Sequence, residues 1–107
     1  MGDKQSASSE PEHYALNLPR PRPTVVYRDL PEGAILFCTR TEVYYSLNPI
    51  GARIWRLLPP VCASEDDIVA RLSEEYPDVN LGKIASDVRR LIEEFVGNGL
   101  VDISRAA

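Results

Sequence analysis

The sequence has few of the residues on which enzyme active sites and metal centres usually depend. It contains one histidine, His13, and two cysteines, Cys38 and Cys62, which lie far apart. A structural zinc site needs about four ligands, and a nucleophilic side chain needs a base beside it. We therefore predict no catalytic residues, no metal site, no cofactor and a protein that is not an enzyme.

Long apolar stretches are also missing. The longest apolar run, "AILFC" at 34–38, has five residues, whereas a membrane-spanning helix needs about 20. The first residues, "MGDKQSASSEPEH", lack the apolar core of a secretory signal. We expect a cytoplasmic protein with free thiols and no membrane partner.

An excess of basic residues is absent as well. The net charge is −4, and residues 1–23 hold three basic and three acidic residues, so the negative excess belongs to residues 24–107. Binding to a nucleic-acid backbone depends on cations. The charge balance therefore predicts no nucleic-acid partner.

The chain begins with a polar segment that becomes proline-rich, and a domain with regularly spaced apolar residues follows it. Residues 1–23, ending in "LPRPRP", predict a disordered tail, and residues 24–104 predict a single domain. The domain opens with runs rich in β-branched and aromatic residues, separated by turn residues. These runs predict three antiparallel strands at 24–28, 34–39 and 42–47.

Three helices are predicted after the strands, each preceded by a capping residue. Asn48 before Pro49 is typical of a helix start, and Pro59-Pro60 ends this helix. Ser64 begins the second helix, which ends before Pro77.

Asn80 caps the third helix, predicted over 81–97, with Gly97 and Gly99 expected in left-handed conformations at its end. Residues 100–104 could add a short final strand. The fold class is therefore α+β and winged-helix-like, with a three-stranded antiparallel sheet followed by three helices. The apolar stripe of the third helix comprises Leu81, Ile84, Val88, Leu91, Ile92 and Phe95.

The aromatic residues near the third strand divide into core and surface. Tyr44 and Tyr45 are consecutive, so in a strand they point to opposite faces. Because Val43 and Leu47 are apolar, we expect Val43, Tyr45 and Leu47 to face inward. Glu42, Tyr44 and Ser46 would then face outward, and Trp55 is expected in the core of the first helix.

A DNA-binding regulator is the alternative from a different class. In a winged helix, the third helix would be the recognition helix, and it carries Arg89-Arg90. However, Asp87, Glu93 and Glu94 share its exposed surface, and a pair such as Arg90–Glu94 is explained as a salt bridge within the helix.

Three segments together resemble a known family. They are "YYSLNPIGARIWRLL" (44–58), "SEDDIVARLSEEY" (64–76) and "DVRRLIEEFVGNGLV" (87–101). Over about residues 24–104 the chain is similar to the family of coenzyme PQQ synthesis protein D, the RiPP recognition element of peptide natural product pathways. The aromatic strand before "LNPIGARIW" is more like the stand-alone proteins of lasso-peptide clusters, whereas "PPVCA" (59–63) replaces the glycine turn common among relatives.

This resemblance implies a non-catalytic adaptor. The leader segment of a ribosomal precursor peptide would add to the third strand in a groove against the third helix, for delivery to a maturation protease or other modifying enzyme. An adaptor for an unrelated protein tail remains a further alternative. The expected peptide-binding residues are Glu42, Val43, Tyr44, Tyr45, Ser46 and Leu47 on the strand, and Asp87, Val88, Arg90 and Leu91 on the helix, where Val88 and Leu91 could equally be core residues.

Overall fold

The computed structural model describes residues 18–103 and has the expected α+β architecture. A three-stranded antiparallel sheet precedes three helices, and a two-stranded ribbon joins the two ends of the described chain. The elements are β1 (Arg20–Pro21), β2 (Val25–Leu30), β3 (Gly33–Cys38), β4 (Val43–Leu47), α1 (Pro49–Leu57), α2 (Glu65–Glu75), α3 (Leu81–Gly97) and β5 (Val101–Asp102).

The sheet is a meander in the order β2-β3-β4. Strand β3 is central, with Val25 of β2 opposite Cys38 on one side and Val43 of β4 opposite Cys38 on the other. Strands β1 and β5 pair separately, with Arg20 opposite Asp102. The short final strand is therefore present, and its partner is a segment that we had expected to lie in the tail.

Three local expectations were wrong. The ordered chain begins before residue 24, since Leu18 is buried and β1 pairs with β5; residues 1–17 lie outside the described part. Glu42 belongs to the turn before β4, with a φ of 61°. Only Gly99, with a φ of 70°, is left-handed after α3, while Gly97 is the last helical residue.

Each helix starts at the predicted cap. The side chains of Asn48, Ser64 and Asn80 accept hydrogen bonds from backbone N–H groups of α1, α2 and α3. These bonds satisfy amides that have no partner within the helix. The helix starts could be read from the sequence because this chemistry is local.

The core lies between the helices and one face of the sheet. Leu36, Ile54 and Val88 are fully buried there. Trp55 packs edge-on against Phe95, with ring centroids 5.1 Å apart, so it is a core residue as expected. Leu81 is the exception in the predicted stripe of α3, because 60% of it is exposed at the first helical position.

Gly33 fixes the contact between the start of β3 and the end of β4. Its φ is +145°, and a Cβ atom there would lie 1.9 Å from the carbonyl oxygen of Leu47. Only glycine allows both this backbone conformation and this approach. Gly33 therefore lets β4 pair with β3 up to its last residue, Leu47.

Candidate functional site

Strand β4 has one paired edge and one open edge. It pairs with β3, and no strand within residues 18–103 pairs with its other side. The N–H of Thr39 donates to the carbonyl of Thr24, so at this position the backbone of the central strand points towards β2. Because backbone direction alternates along an antiparallel strand, Cys38 points instead towards β4.

The same alternation identifies the groups at the open edge of β4. The residues of β4 that lie opposite Cys38, Leu36 and Ala34 are Val43, Tyr45 and Leu47. Their backbone N–H and C=O groups therefore point towards β3. The N–H and C=O groups of Tyr44 and Ser46 point away from β3. These are the groups that an additional strand would meet.

The side chains of β4 follow the expected alternation, with one informative exception. Leu47 is buried and Tyr45 is half-buried on the inner face, whereas Tyr44 is 67% exposed on the outer face. Val43 also belongs to the inner face, yet 41% of it is exposed. The helices therefore leave the inner face uncovered at the start of β4.

The family resemblance predicts a groove between β4 and α3. Helix α3 packs mainly against α2, makes smaller contacts with α1 and β5, and is not among the close neighbours of β4. Among the expected groove residues of α3, Leu91 is 9% exposed and Val88 is fully buried. Val88 thus offers no surface to a ligand in this structure.

The polar flank of α3 carries acidic and basic side chains that form ion pairs with one another. Asp87 accepts from Lys83 at 3.2 Å and from Arg90 at 3.5 Å, and Arg90 also lies 3.3 Å from Glu94. Arg89 pairs with Glu65 of α2 at 3.2 Å. Each cation of α3 therefore has a carboxylate neighbour, so the helix lacks the unopposed basic surface that a DNA-recognition helix needs.

A small cavity of about 80 Å³ lies between the first turn of α1, the end of α2 and the start of α3. Lys83 and Asp87 also border it, but the surface exposed to the cavity is apolar, so a water molecule there would lack hydrogen-bond partners. The apolar lining comprises Ile50, Leu72, Tyr76, Val79 and Ile84.

An ion pair between α1 and α2 stands beside this cavity. Arg53 Nη2 lies 2.6 Å from Glu75 Oε2, and Arg53 Nε lies 2.9 Å from Glu75 Oε1. These hydrogen bonds lower the pKa of Glu75 and raise that of Arg53. Because Tyr76 follows Glu75 directly, the pair fixes one cavity wall relative to the first turn of α1.

The described residues contain neither a cluster suited to a metal ion nor a helix suited to span a membrane. Within 18–103, no three His, Cys, Asp or Glu side chains are grouped so that they could hold a metal ion. In that same range no helix is both long and apolar enough to cross a bilayer. Cys38 and Cys62 are free and buried, and His13 lies outside the described residues.

The expected binding residues thus fall into three groups. Val43 to Leu47 form β4, while Glu42 stands in the preceding turn. On α3, Asp87 is partly exposed, Leu91 is nearly buried, and Arg90 reaches Asp87 and Glu94. Sequence patterns missed the cavity, because its walls come from three helices and the turn before α3.

Comparisons with known proteins found one matching family and two solved structures of similar fold. The family model of coenzyme PQQ synthesis protein D matches residues 33–101. The structure "TbiB1 in complex with the TbiA(beta) leader peptide" matches with a TM-score of 0.68 and 24% identity, over 77% of this chain and 93% of that chain. A lasso peptide synthetase B1 complexed with the leader peptide matches with a TM-score of 0.69 and 26% identity, over 78% of this chain and 96% of that one. No curated protein matches the chain.

Proposed function

This chain belongs to the family of coenzyme PQQ synthesis protein D, and we propose that it binds the leader segment of a ribosomally made precursor peptide as a fourth strand on β4. The observation that carries the proposal is the open edge of β4, where the backbone groups of Tyr44 and Ser46 point away from the sheet. The lasso peptide synthetase B1 of similar fold is itself a leader-peptide complex. Strand addition is a recurring way of recognising extended peptides.

Backbone pairing alone would give weak binding. Tyr44 and Ser46 offer two N–H and two C=O groups, and each net hydrogen bond contributes about 1 kcal/mol. Four such bonds correspond to a Kd of about 1 mM, whereas micromolar binding needs about 8 kcal/mol. Most of the affinity must therefore come from leader side chains that become buried in the groove.

The groove offers apolar surface for such side chains. Val43 is an inner-face residue left partly exposed, and the cavity beside Ile50 is lined by apolar groups. Burial contributes about 25 cal/mol per Å² of apolar surface removed from water. We propose that apolar leader side chains occupy these two places, one beside Val43 and one at the cavity beside Ile50.

Selectivity would come from the charged flank of α3. The Arg90 side chain is 58% exposed and can exchange its contact with Asp87 for a contact with the leader, whereas the Asp87 side chain is only 19% exposed. A leader with an acidic residue opposite Arg90, or a basic residue opposite Asp87, would then be preferred. Exposed pairs of this kind contribute about 0.2–1 kcal/mol each, so they adjust affinity and do not supply it.

The role that follows is that of a non-catalytic adaptor in the cytoplasm. By holding the leader, the protein would present the remainder of the precursor to a maturation protease or other modifying enzyme. The DNA-binding alternative is not supported by the comparisons, and the paired cations of α3 argue against it. An unrelated protein tail as ligand would be distinguished by the same binding experiment.

The test is a fluorescence titration with a synthetic leader peptide, taken from a short precursor identified by inspecting the neighbouring genes. We expect a Kd in the micromolar range or below that changes little between 50 and 200 mM salt, because pairing and apolar burial dominate. Leaders with reversed charges opposite Asp87 or Arg90 should bind a few-fold more weakly. The proposal is contradicted if the leader fails to bind while a DNA duplex binds with a steep salt dependence.

A further inference from the structure

The segment that precedes the sheet connects the end of α3 to the sheet. We infer that residues 18–24, called the strap here, hold the C-terminal end of α3 in place and thereby set the space between α3 and β4 into which leader side chains enter. The inference rests on the leader-binding function proposed above. It makes Leu18 and Arg22 positioning residues, which act on the leader through α3 and need not touch it.

The strap has a strand pattern that its prolines conceal. In "PRPRP" (19–23) every second residue is proline. The N–H of Arg22 donates to the carbonyl of Leu100 at 3.1 Å. Because hydrogen-bonded positions alternate along an antiparallel pair, Pro21 takes a position in β1 where no N–H is needed. The proline-rich segment can therefore pair with β5, although its composition predicts an unpaired tail.

One end of this connection is the last turn of α3. Leu100 lies just after the helix, and its N–H donates to the carbonyl of Phe95 at 3.0 Å, while its own carbonyl accepts from Arg22. The side chains of Leu18, Phe95 and Leu100 are all buried in the core. Arg22 Nε also lies 2.8 Å from Asp102 Oδ1. The strap is therefore joined to the helix end by backbone pairing, apolar packing and an ion pair.

The other end of the connection is the sheet. The N–H of Val25, the first residue of β2, donates to the carbonyl of Arg22 at 3.0 Å. Thr39 donates to the carbonyl of Thr24 through its N–H at 2.9 Å and its hydroxyl at 2.7 Å. Val25 and Val43 are both opposite Cys38, so they lie about 10 Å apart across two strand spacings. The strap thus meets the sheet at the end where β4 begins.

Contacts elsewhere leave this end of α3 to the strap. Helix α3 packs mainly against α2, and β4 is not among its close neighbours. The start of α3 borders the cavity shared with α1 and α2. A helix of 17 residues is about 26 Å long, so a pivot of about 5° at its start would move its far end by about 2 Å. Displacements of that size disrupt close side-chain packing, so a fixed far end preserves the leader contacts.

A loosened strap would change the rate at which the leader leaves. A bound leader would lose contacts whenever α3 moves away, whereas its first encounter with the open edge would be little affected. Changes within one interface act mostly on the dissociation rate constant, koff. A variant that merely unfolds in part would instead bind less leader at an unchanged koff. This difference separates positioning from a general loss of stability.

The experiment compares Arg22→Pro with Arg22→Ala in the full chain. Arg22→Pro removes the N–H that donates to Leu100, whereas Arg22→Ala removes only the side chain with its partly exposed ion pair. Leader association and dissociation are measured by stopped-flow fluorescence with the synthetic leader used above. We expect koff to rise about fivefold or more for Arg22→Pro and to stay within about twofold for Arg22→Ala.

Hydrogen exchange of the chain without leader tests the same contact independently. Arg22→Pro should speed exchange of the backbone amides of 95–100 about tenfold and leave the amides of α2 unchanged. Leu18→Ala removes an apolar contact and no hydrogen bond, and it should change koff and exchange in the same direction. This variant decides the question if Arg22→Pro fails to fold.

The outcomes distinguish the inference from the function on which it rests. The inference is overturned if the wild type binds leader and the folded strap variants keep its koff within about twofold. Equal acceleration of exchange in α2 and at 95–100 would also overturn it, because the strap would then stabilise the whole fold and not the end of α3. A wild-type chain that binds no leader would instead overturn the function proposed above.

Discussion

The sheet has two outer edges, and they differ in charge and in surroundings, in ways that favour β4 over β2 as the edge for the proposed leader peptide. Strands β2 and β4 each pair only with β3 within residues 18–103. Strand β2 carries Arg28 and Asp29 inside its length, whereas β4 reads "VYYSL" without a charge. Charged residues on an edge strand discourage pairing with other chains, so β2 is protected and β4 is left open.

The surroundings of the two edges differ as well. At β2, the Tyr27 hydroxyl donates to Asp29 at 2.5 Å, and Asp29 also lies 3.9 Å from Arg56. At β4, the strand end is held by the Asn48 cap of α1, and the partly exposed Val43 side chain lies at the other end of the strand. An open edge becomes a binding site when side-chain surface stands beside it, because the backbone alone supplies too little free energy.

The largest expected effect comes from blocking the close approach of Gly33 to Leu47 that lets β4 pair with β3. Gly33→Ala would place a Cβ atom 1.9 Å from the Leu47 carbonyl oxygen, at a φ of +145°. We expect the free energy of unfolding in urea to fall by about 3 kcal/mol or more. The open edge would be lost together with the pairing.

Gly97→Ala is the matched control for this prediction. A Cβ atom at Gly97 meets nothing within 4 Å, and its φ is not left-handed. Its stability should be unchanged or raised by up to about 1 kcal/mol, since alanine favours helix. Equal effects of the two substitutions would refute the role assigned to Gly33.

The two edges can be compared directly with one proline on each. Tyr44→Pro removes an N–H that points away from β3, and Asp29→Pro removes the equivalent outward N–H of β2. We expect Tyr44→Pro to weaken leader binding about tenfold, because a guest carbonyl loses its donor. Asp29→Pro should leave the leader Kd unchanged.

Circular dichroism would establish that both proline variants are folded before the titrations. If Asp29→Pro weakens binding as much as Tyr44→Pro does, the leader adds to β2 or to neither edge. Unchanged binding in a folded Tyr44→Pro variant would rule out the deduced direction of the backbone groups.

The smallest expected effect concerns the Arg53–Glu75 ion pair between α1 and α2. Arg53 lowers the pKa of Glu75, so the pair stabilises the fold above the ordinary pKa of glutamate and loses this effect as the pH falls through the lowered value. Because Glu75 is about one-third exposed, Glu75→Gln should cost no more than about 1 kcal/mol at pH 7. Thermal unfolding should show the difference shrinking below about pH 4.

Glu74→Gln is the control, since Glu74 is exposed and forms no ion pair among the described residues. Its unfolding temperature should match that of the wild type across the same pH range. A Glu75→Gln difference that persists in full at pH 2 would mean that packing, and not charge, is responsible.

Much of the fold could be predicted because its signals are local. The caps Asn48, Ser64 and Asn80 start their helices through hydrogen bonds that span two or three residues. The turn before β4 was harder, since Glu42 adopts a left-handed conformation that its residue type does not suggest. Leu81 belongs to the apolar period of α3 but lies at its first position, where no neighbouring element covers it.

The sequence by itself determined the three strands of the sheet, the helix starts and the two faces of β4, because backbone capping and side-chain alternation act over a few residues. Only the tertiary structure decided that one edge of β4 stays open, that Val88 is fully buried while Val43 is partly exposed, and that a cavity forms beside Ile50. Each of these depends on how elements distant in the chain pack together, and residue periodicity carries no information about the space left between them.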